Sequence, residues 1–369
     1  METAQRLVPE FIEKLVPYRP GKPIEEVQRE LGIERVYKLA SNENPLGASP
    51  AVAKAIMDSL SGIHRYPDAG AHHLRLAIAE RTCTRVENVV LGGGSEAIIA
   101  NIVRTFLHGE DEALTSEGTF VGFHIIARSQ GIRVQTTPLK DYRYDLDAIL
   151  AAINPKTKVI YLANPNNPTG TIFTNDEWEH FIERVPSHIL VLADEAYFEY
   201  TKRSELYPDS MSYRYDNVIT LRTFSKAYGL AGLRLGYGLA HESLVSHLMK
   251  VKLPFEPNFL AQVAGLAALN DQEFVERTVA LNTRERDRLY GDLERLGLNF
   301  VPSHTNFILV EMKDETLVDR ISQGLLSKGV VIRPLRSFGL PTCFRISVGL
   351  PEENDVLVKH LTQILASLR

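Results

Sequence analysis

Four short stretches hold residues that could do chemistry together. In Thr223-Phe224-Ser225-Lys226-Ala227-Tyr228-Gly229-Leu230-Ala231-Gly232-Leu233-Arg234 a lysine follows a hydroxyl-rich turn, and an arginine comes eight residues later. A single loop lysine is ordinarily a solvated surface charge. With few acids nearby in sequence, and with Arg234 and a bound phosphate beside it, its amine can be tuned toward a nucleophile. In Leu190-Val191-Leu192-Ala193-Asp194-Glu195-Ala196-Tyr197 an apolar run ends in two acids and a phenol. Asp194 directly follows that run, which predicts a partly buried carboxylate at a strand's carboxyl tip. Such a group needs a cationic partner or strong donors, and a protonated pyridine nitrogen is one such partner.

The other two stretches are turns. Leu91-Gly92-Gly93-Gly94-Ser95-Glu96-Ala97 leads through glycines into a helix start, whose unpaired backbone N–H groups favour an anion, most often phosphate. The same string also fits a G-x-G-x-x-A dinucleotide fingerprint, with Glu112 or Glu117 as the ribose acid. It nearly matches a nucleophile elbow around Ser95, with Ala97 where the last glycine belongs, and it could be a βα turn without a ligand. It lacks the Gly-Lys-Ser/Thr ending of a P-loop. Asn164-Pro165-Asn166-Asn167-Pro168-Thr169-Gly170 is a rigid turn that can fix an amide at a strand's carboxyl end, where open α/β sheets place ligands. A phosphate cradle, an amide, a buried acid with a tyrosine, and a lysine with an arginine form the set that a pyridoxal phosphate site requires.

The elements that must position these residues follow from periodicity. From about Glu87, short apolar runs alternate with amphipathic segments, which predicts an α/β fold with a largely parallel sheet. Expected strands are Asn88–Leu91, Arg133–Thr137, Lys158–Ala163, Ile189–Asp194, Val218–Leu221 and Leu233–Leu239; expected helices are Glu96–Leu107, Leu146–Ile153 and Asn175–Arg184. Glu273–Leu296, dense in arginine and glutamate, predicts a long solvated helix bridging two domains. The rhythm then changes to strand, helix, strand, strand, helix, at Asn306–Met312, Glu315–Ser327, Val330–Arg333, Cys343–Val348 and Glu352–Leu368. Pro17-Tyr18-Arg19-Pro20-Gly21 reads as an extended arm outside the core.

Composition excludes several classes. The 369 residues are 44% hydrophobic and 24% charged, enough for a large core in two domains or one large α/β unit. The net charge of −5, with no basic run, argues against nucleic acid or an anionic membrane as the main partner. Cys83 and Cys343 are too few for a disulfide framework. Neither they nor the histidines, His72-His73 and the His241/His247 pair included, have metal-ligand spacing, so no metal is expected. No apolar stretch reaches membrane-spanning length and no signal peptide is seen, which leads to the expectation of a cytoplasmic protein.

The N-P-N-N-P-T-G, D-E-A-Y and S-K-A-x-G-L-A-G-L-R strings, in this order and spacing, resemble the fold-type-I pyridoxal-phosphate aminotransferases. Within these, the chain is most similar to the histidinol-phosphate aminotransferase family, from Pro17-Tyr18 to Arg345-Ile346-Ser347-Val348-Gly349. The resemblance implies an aspartate-aminotransferase-like fold. It has a large cofactor-binding α/β domain at residues 46–275, with a mainly parallel sheet flanked by helices, and a smaller α+β domain formed by 276–369 and the N-terminal arm, 1–45.

By the same resemblance, Lys226 would carry the cofactor as a Schiff base and shuttle the proton, and Asp194 would pair with the pyridinium nitrogen. Tyr197 and Asn167 would bond the ring's phenolic oxygen, and Phe120 would stack on the ring. Thr223, Ser225, Arg234 and the Gly94-Ser95-Glu96 turn would hold the phosphate. Tyr66 would reach the cofactor phosphate of a neighbouring subunit, which implies a homodimer with shared sites. Arg345, Arg333 and Tyr18 would grip the substrate's anion, a task suited to guanidinium geometry. Gly118 stands where the family usually has proline and Phe120 where it often has tyrosine; Arg336 receives no role. The implied reaction is transamination between histidinol phosphate and 2-oxoglutarate in histidine biosynthesis. An aromatic amino acid aminotransferase is the nearest rival and a pyridoxal-phosphate decarboxylase of a phosphorylated amino acid the next. The glycine turn alone keeps a nicotinamide dehydrogenase open.

Overall fold

The computed structural model describes residues 7–17, 21–212 and 216–368. Its centre is a seven-stranded sheet of β1 (Val89–Gly92), β2 (Glu112–Ser116), β3 (Arg133–Thr137), β4 (Thr157–Ala163), β5 (Leu190–Asp194), β6 (Val218–Thr223) and β7 (Gly236–Leu239). The spatial order is β1-β7-β6-β5-β4-β2-β3. Only β7 runs against the rest, pairing antiparallel with β1 and with β6. Helices cover both faces, which is why the strands read as nearly unbroken apolar runs. In β4, Val159, Tyr161 and Ala163 pack toward helices Ser95–Phe106, Val121–Arg128 and Glu242–Val251. The alternate residues, Ile160 and Leu162, pack toward Leu146–Ala152 and Asn175–Ile182.

Two departures from the sequence expectation have physical causes. Strand β2 was not expected, because Glu112, Thr115 and Ser116 interrupt its apolar pattern although every one of its residues is buried. Those polar groups are satisfied: Thr115 Oγ1 donates to the Tyr161 carbonyl at 2.8 Å, Ser116 meets Thr137 at 2.9 Å and Glu112 pairs with Arg133 at 3.1 Å. The expected strand Leu233–Leu239 starts only at Gly236. Ala231–Leu233 form a 3-10 turn and Arg234 takes a left-handed backbone with φ 55°.

A second sheet of four antiparallel strands comprises β8 (Asn299–Val301), β9 (Phe307–Glu311), β10 (Arg333–Pro334) and β11 (Cys343–Ser347), in the order β10-β11-β9-β8. Ile308, Val310, Phe344 and Ile346 pack against helices Glu315–Leu326 and Pro351–Leu368. The expected strand Val330–Arg333 divides: Val330–Val331 pairs in parallel with Tyr37–Lys38, and Arg333 begins β10. That parallel pair draws the N-terminal segment across to the second sheet and delivers Ser41–Asn44 toward the first.

The long helix, Gln272–Arg295, corrects the expectation of a merely solvated bridge. It buries a stripe at three- and four-residue spacing that includes polar side chains: Thr278, Asn282, Glu285 and Asp292. Each polar member is used. Thr278 accepts from Asn44 Nδ2 at 3.0 Å, Asn282 Nδ2 donates to the Thr305 carbonyl at 3.1 Å, and Glu285 receives Arg288 and Asn354 at 2.8 and 3.1 Å. Asp292 pairs with Arg295 one turn on. Val275 near one end joins the core under β1, while Leu289 and Leu293 near the other join the core of the second sheet. Among the described residues no helix is long and apolar enough to cross a membrane.

Candidate active site

The carboxyl ends of β1, β4, β5 and β6 share one edge of the large sheet, and all four chemistry-bearing stretches begin there. They enclose one cavity. Ten residues singled out in the sequence line it: Ser95, Glu96, Phe120, Asn167, Asp194, Tyr197, Thr223, Ser225, Lys226 and Arg234. Tyr161, Ala163, Pro165 and Ala196 line it as well, and sequence reasoning missed them.

One end of the cavity is shaped for an anion. Helix Ser95–Phe106 opens there with its first N–H groups, preceded by Gly94 at φ 84°. A Cβ on Gly94 would sit 2.7 Å from Arg234 Nη2, and one on Gly236 would sit 2.4 Å from the Ser95 nitrogen. Side chains at either position would fill the cradle. Arg234, half exposed, pairs with Glu96 at 3.1 Å. Thr223 Oγ1 accepts from the Ser225 N–H at 3.1 Å, which fixes two hydroxyls at the cavity wall. The dinucleotide reading of this turn fails. Glu112 stands at the start of β2, bound to Arg133, and neither it nor Glu117 lines the cavity. Among the described residues no histidine lines the cavity beside Ser95, so the nucleophile elbow has no histidine base there.

The other end holds an amine and an acid. Lys226 Nζ lies 5.7 Å from the Tyr197 ring centroid and 3.5 Å from the Ser41 carbonyl. Burial, then the nearby Arg345 guanidinium, pulls its ammonium down to about 8, with Glu43 opposing. Asp194 is buried at the tip of β5, as the apolar run before it predicted, and burial pushes its carboxyl up to about 6. The strong donors it requires are the Tyr161 hydroxyl, 2.7 Å from Oδ2, and the Ala196 N–H, 3.2 Å from Oδ1.

Residues remote in sequence hold two of the lining side chains, Tyr197 and Asn167. Asn42 Nδ2 donates to the Tyr197 hydroxyl at 2.8 Å, while the Asn42 backbone is held by Ser347 and Asn306. Its φ of 55° is a conformation that asparagine tolerates better than most residues. Only the polar string Ser41-Asn42-Glu43-Asn44-Pro45 hinted at it. Buried Arg345 donates to Asn167 Oδ1 and, at 2.9 Å, to the Ala40 carbonyl, which leaves the Asn167 Nδ2 as that amide's donor. Arg333 stands directly opposite Arg345 in the β10–β11 register, so the two share a face, each 5.9 Å from the Phe338 ring centroid.

Tyr66, Arg333 and Arg345 are not among the residues that line the cavity. Tyr66 is exposed and stacked on Phe255, with centroids 4.3 Å apart. Tyr18 lies outside the described residues. Arg336 makes a surface ion pair with Glu315 and another with Asp319 at 3.0 Å, which accounts for it. Gly118 has φ 59°, unreachable for the proline usual in the resembled family. His72, His73, His241 and His247 are exposed, and no group of three metal-ligating side chains occurs among the described residues. Glu195, next to Asp194, turns away from this chemistry. It binds Arg222 at 2.8 and 2.9 Å and the Ser210 N–H at 2.9 Å, both charged partners being buried, and so clamps β5 to β6 beneath the site.

Residues 34–361 match the family model described as aminotransferase class I and II. Histidinol-phosphate aminotransferase 2 of Hydrogenovibrio crunogenus is 45% identical over 95% of this chain and 94% of its own. The histidinol-phosphate aminotransferase of Moorella thermoacetica is 42% identical over 97% of this chain and 92% of its own. Among solved structures, histidinol-phosphate aminotransferase from Sinorhizobium meliloti in complex with pyridoxal-5'-phosphate superposes with a TM-score of 0.90 at 31% identity, covering 98% of both chains. Aspartate aminotransferase from Thermus thermophilus with maleate shares the fold, with a TM-score of 0.83 at 22% identity over 97% of this chain and 99% of that one.

Proposed function

The chain belongs to the class I and II aminotransferase family, and from that premise we propose that it moves an amino group between histidinol phosphate and 2-oxoglutarate, with pyridoxal phosphate as cofactor, in histidine biosynthesis. The observation that carries the reading is the meeting of a lysine of lowered basicity, a buried carboxylate and a glycine-walled helix start in one cavity. The donor set fits the cofactor: the cradle that a Cβ at Gly94 or Gly236 would fill suits a phosphate, and a buried acid suits a ring N–H.

Bound pyridoxal phosphate supplies an aldehyde that condenses with amines and a ring that draws negative charge from the amine's α-carbon. The chain's residues do the rest. Lys226 would hold the cofactor through its amine, and its Nζ would take and return the proton that moves during the exchange. A lysine titrating near 8 is partly neutral at physiological pH, which suits both tasks. Asp194 keeps the ring nitrogen protonated. Tyr197 and the Asn167 Nδ2 bond the ring's phenolic oxygen, and Phe120 covers the ring. The Gly94-Ser95-Glu96 backbone, Thr223, Ser225 and Arg234 hold the phosphate.

Arg345 and Arg333, side by side on one face of the small sheet, support recognition of a phosphorylated donor in place of an ordinary carboxylate, with Tyr18 assisting. We further infer that residues 46–275 form the cofactor-binding unit, with 1–45 and 276–369 forming the smaller one. The enzyme would work in the cytoplasm as a homodimer in which Tyr66 serves the neighbouring site. Exposed Phe255, with exposed Tyr66 stacked on it, supports a covered surface at Tyr66.

The test is a donor panel of histidinol phosphate, phenylalanine and tyrosine with 2-oxoglutarate. Histidinol phosphate is expected to give the highest kcat/KM. Negligible turnover of the phosphate ester overturns the substrate assignment, turnover of the aromatic amino acids alone points to the rival aminotransferase, and release of carbon dioxide points to a decarboxylase. Light scattering tests the dimer.

A further inference from the structure

Tyr161 lies two residues before the end of β4, and its ring is buried against Phe123, with centroids 4.3 Å apart and planes within 10°. The β4–β5 register sets Tyr161 beside Leu192 and Ala163 beside Asp194. Side chains two apart on parallel neighbours share a face, so the phenol and the carboxylate are diagonal neighbours on the same side of the sheet. The hydroxyl covers that diagonal and ends 2.7 Å from Asp194 Oδ2.

We propose that Tyr161 is a positioning residue for Asp194: it holds Oδ2 by donation and leaves Oδ1, beside the Ala196 N–H, to receive the cofactor's ring proton. The inference rests on the cofactor reading above. Burial, and after it the adjacent carboxylate, raises the Tyr161 hydroxyl well above its usual range, so it stays protonated and acts as donor. Its bond is the largest influence opposing the burial that pushes Asp194 toward the neutral acid. The other groups facing Asp194 do not replace it. Tyr144 is engaged with Thr119 and the Ala163 N–H, Tyr197 accepts from Asn42, Glu96 repels the carboxylate, and Lys226 attracts it less than the bonded donors do. Without the hydroxyl, a carboxylate in this place moves toward the protonated form, which cannot hold the ring nitrogen's proton.

Tyr161→Phe keeps the ring and its stacking and removes only the donor. A hydrogen bond to a charged group is worth roughly tenfold or more in an equilibrium constant. The variant is therefore expected to bind pyridoxal phosphate about tenfold more weakly in an absorbance titration of the cofactor-free protein. It should also lose about tenfold in kcat, with KM for the amino donor within about twofold. In an Asp194→Asn background the same substitution is expected to change neither quantity by more than about twofold, because its effect passes through the carboxylate. Carbon-13 titration of the aspartate carboxyls in the cofactor-free protein is expected to move Asp194 upward in Tyr161→Phe. Unchanged cofactor affinity with an unchanged Asp194 titration overturns the proposal. So does an equal loss in the Asp194→Asn background, which would mark Tyr161 as packing alone. Failure of the unmodified chain to bind pyridoxal phosphate would instead overturn the cofactor reading, and the carboxyl titration would still test the Tyr161–Asp194 bond.

Discussion

Replacing Lys226 by methionine is expected to stabilise the cofactor-free protein at neutral pH while abolishing transamination. The ammonium, ordinarily near 10.5, is pulled down to about 8 in the fold, chiefly by burial. That difference corresponds to about 3 kcal/mol of cost for keeping the charge inside at pH 7. The side chain borders an open cavity, so solvent screening reduces the figure to about 2 kcal/mol. The sign follows from proton linkage. Between pH 8 and 10.5 the unfolded lysine keeps its proton and the folded one has lost it, so wild-type stability rises with pH through that window and the cost is fully present below it. Methionine has a similar length and no charge. A domain of this size has an unfolding entropy near 0.8 kcal/mol per kelvin, so the variant should melt about 2–3 °C higher than wild type at pH 7. The offset should shrink to less than about 1 °C by pH 10.5. Differential scanning calorimetry of both cofactor-free proteins at the two pH values measures it, and other titrations cancel in the difference. A variant that melts at or below wild type at pH 7, or an offset that ignores pH, would refute the claim that the fold holds this amine away from its ordinary state.

Three further outcomes are expected. Gly236→Ala puts a Cβ 2.4 Å from the Ser95 nitrogen, so it should weaken pyridoxal phosphate binding by more than about tenfold in an absorbance titration and leave the circular dichroism spectrum unchanged. Arg222→Met strands the buried Glu195 carboxylate and should cost about 3–5 kcal/mol, read as a fall in melting temperature of about 4–6 °C; adding Glu195→Gln should recover part of it. Arg345→Lys loses the fork that spans Asn167 and the Ala40 carbonyl, so KM for the amino donor should rise about tenfold, with a smaller change in kcat.

Lys226, Asp194, Asn167 and the glycine turn were legible in the chain because each sits where a strand's apolar run stops, and the stopping points of parallel strands share one edge. The periodicity that reveals such strands is a local property, and it failed where polar residues were buried in pairs, as in β2, or where a backbone turned left-handed, as at Arg234. What the sequence by itself determined, then, is which side chains arrive at the cavity from their own strand ends. Only the tertiary structure decided what holds them. The partners of Asp194, Tyr197 and Asn167 are Tyr161, Asn42 and Arg345, separated from them by 33, 155 and 178 residues. A hydrogen bond needs about 3 Å between atoms whose approach is set by sheet register and by the crossing of the N-terminal segment to the second sheet. Neither leaves a signature in residue spacing, because both depend on which strands become neighbours.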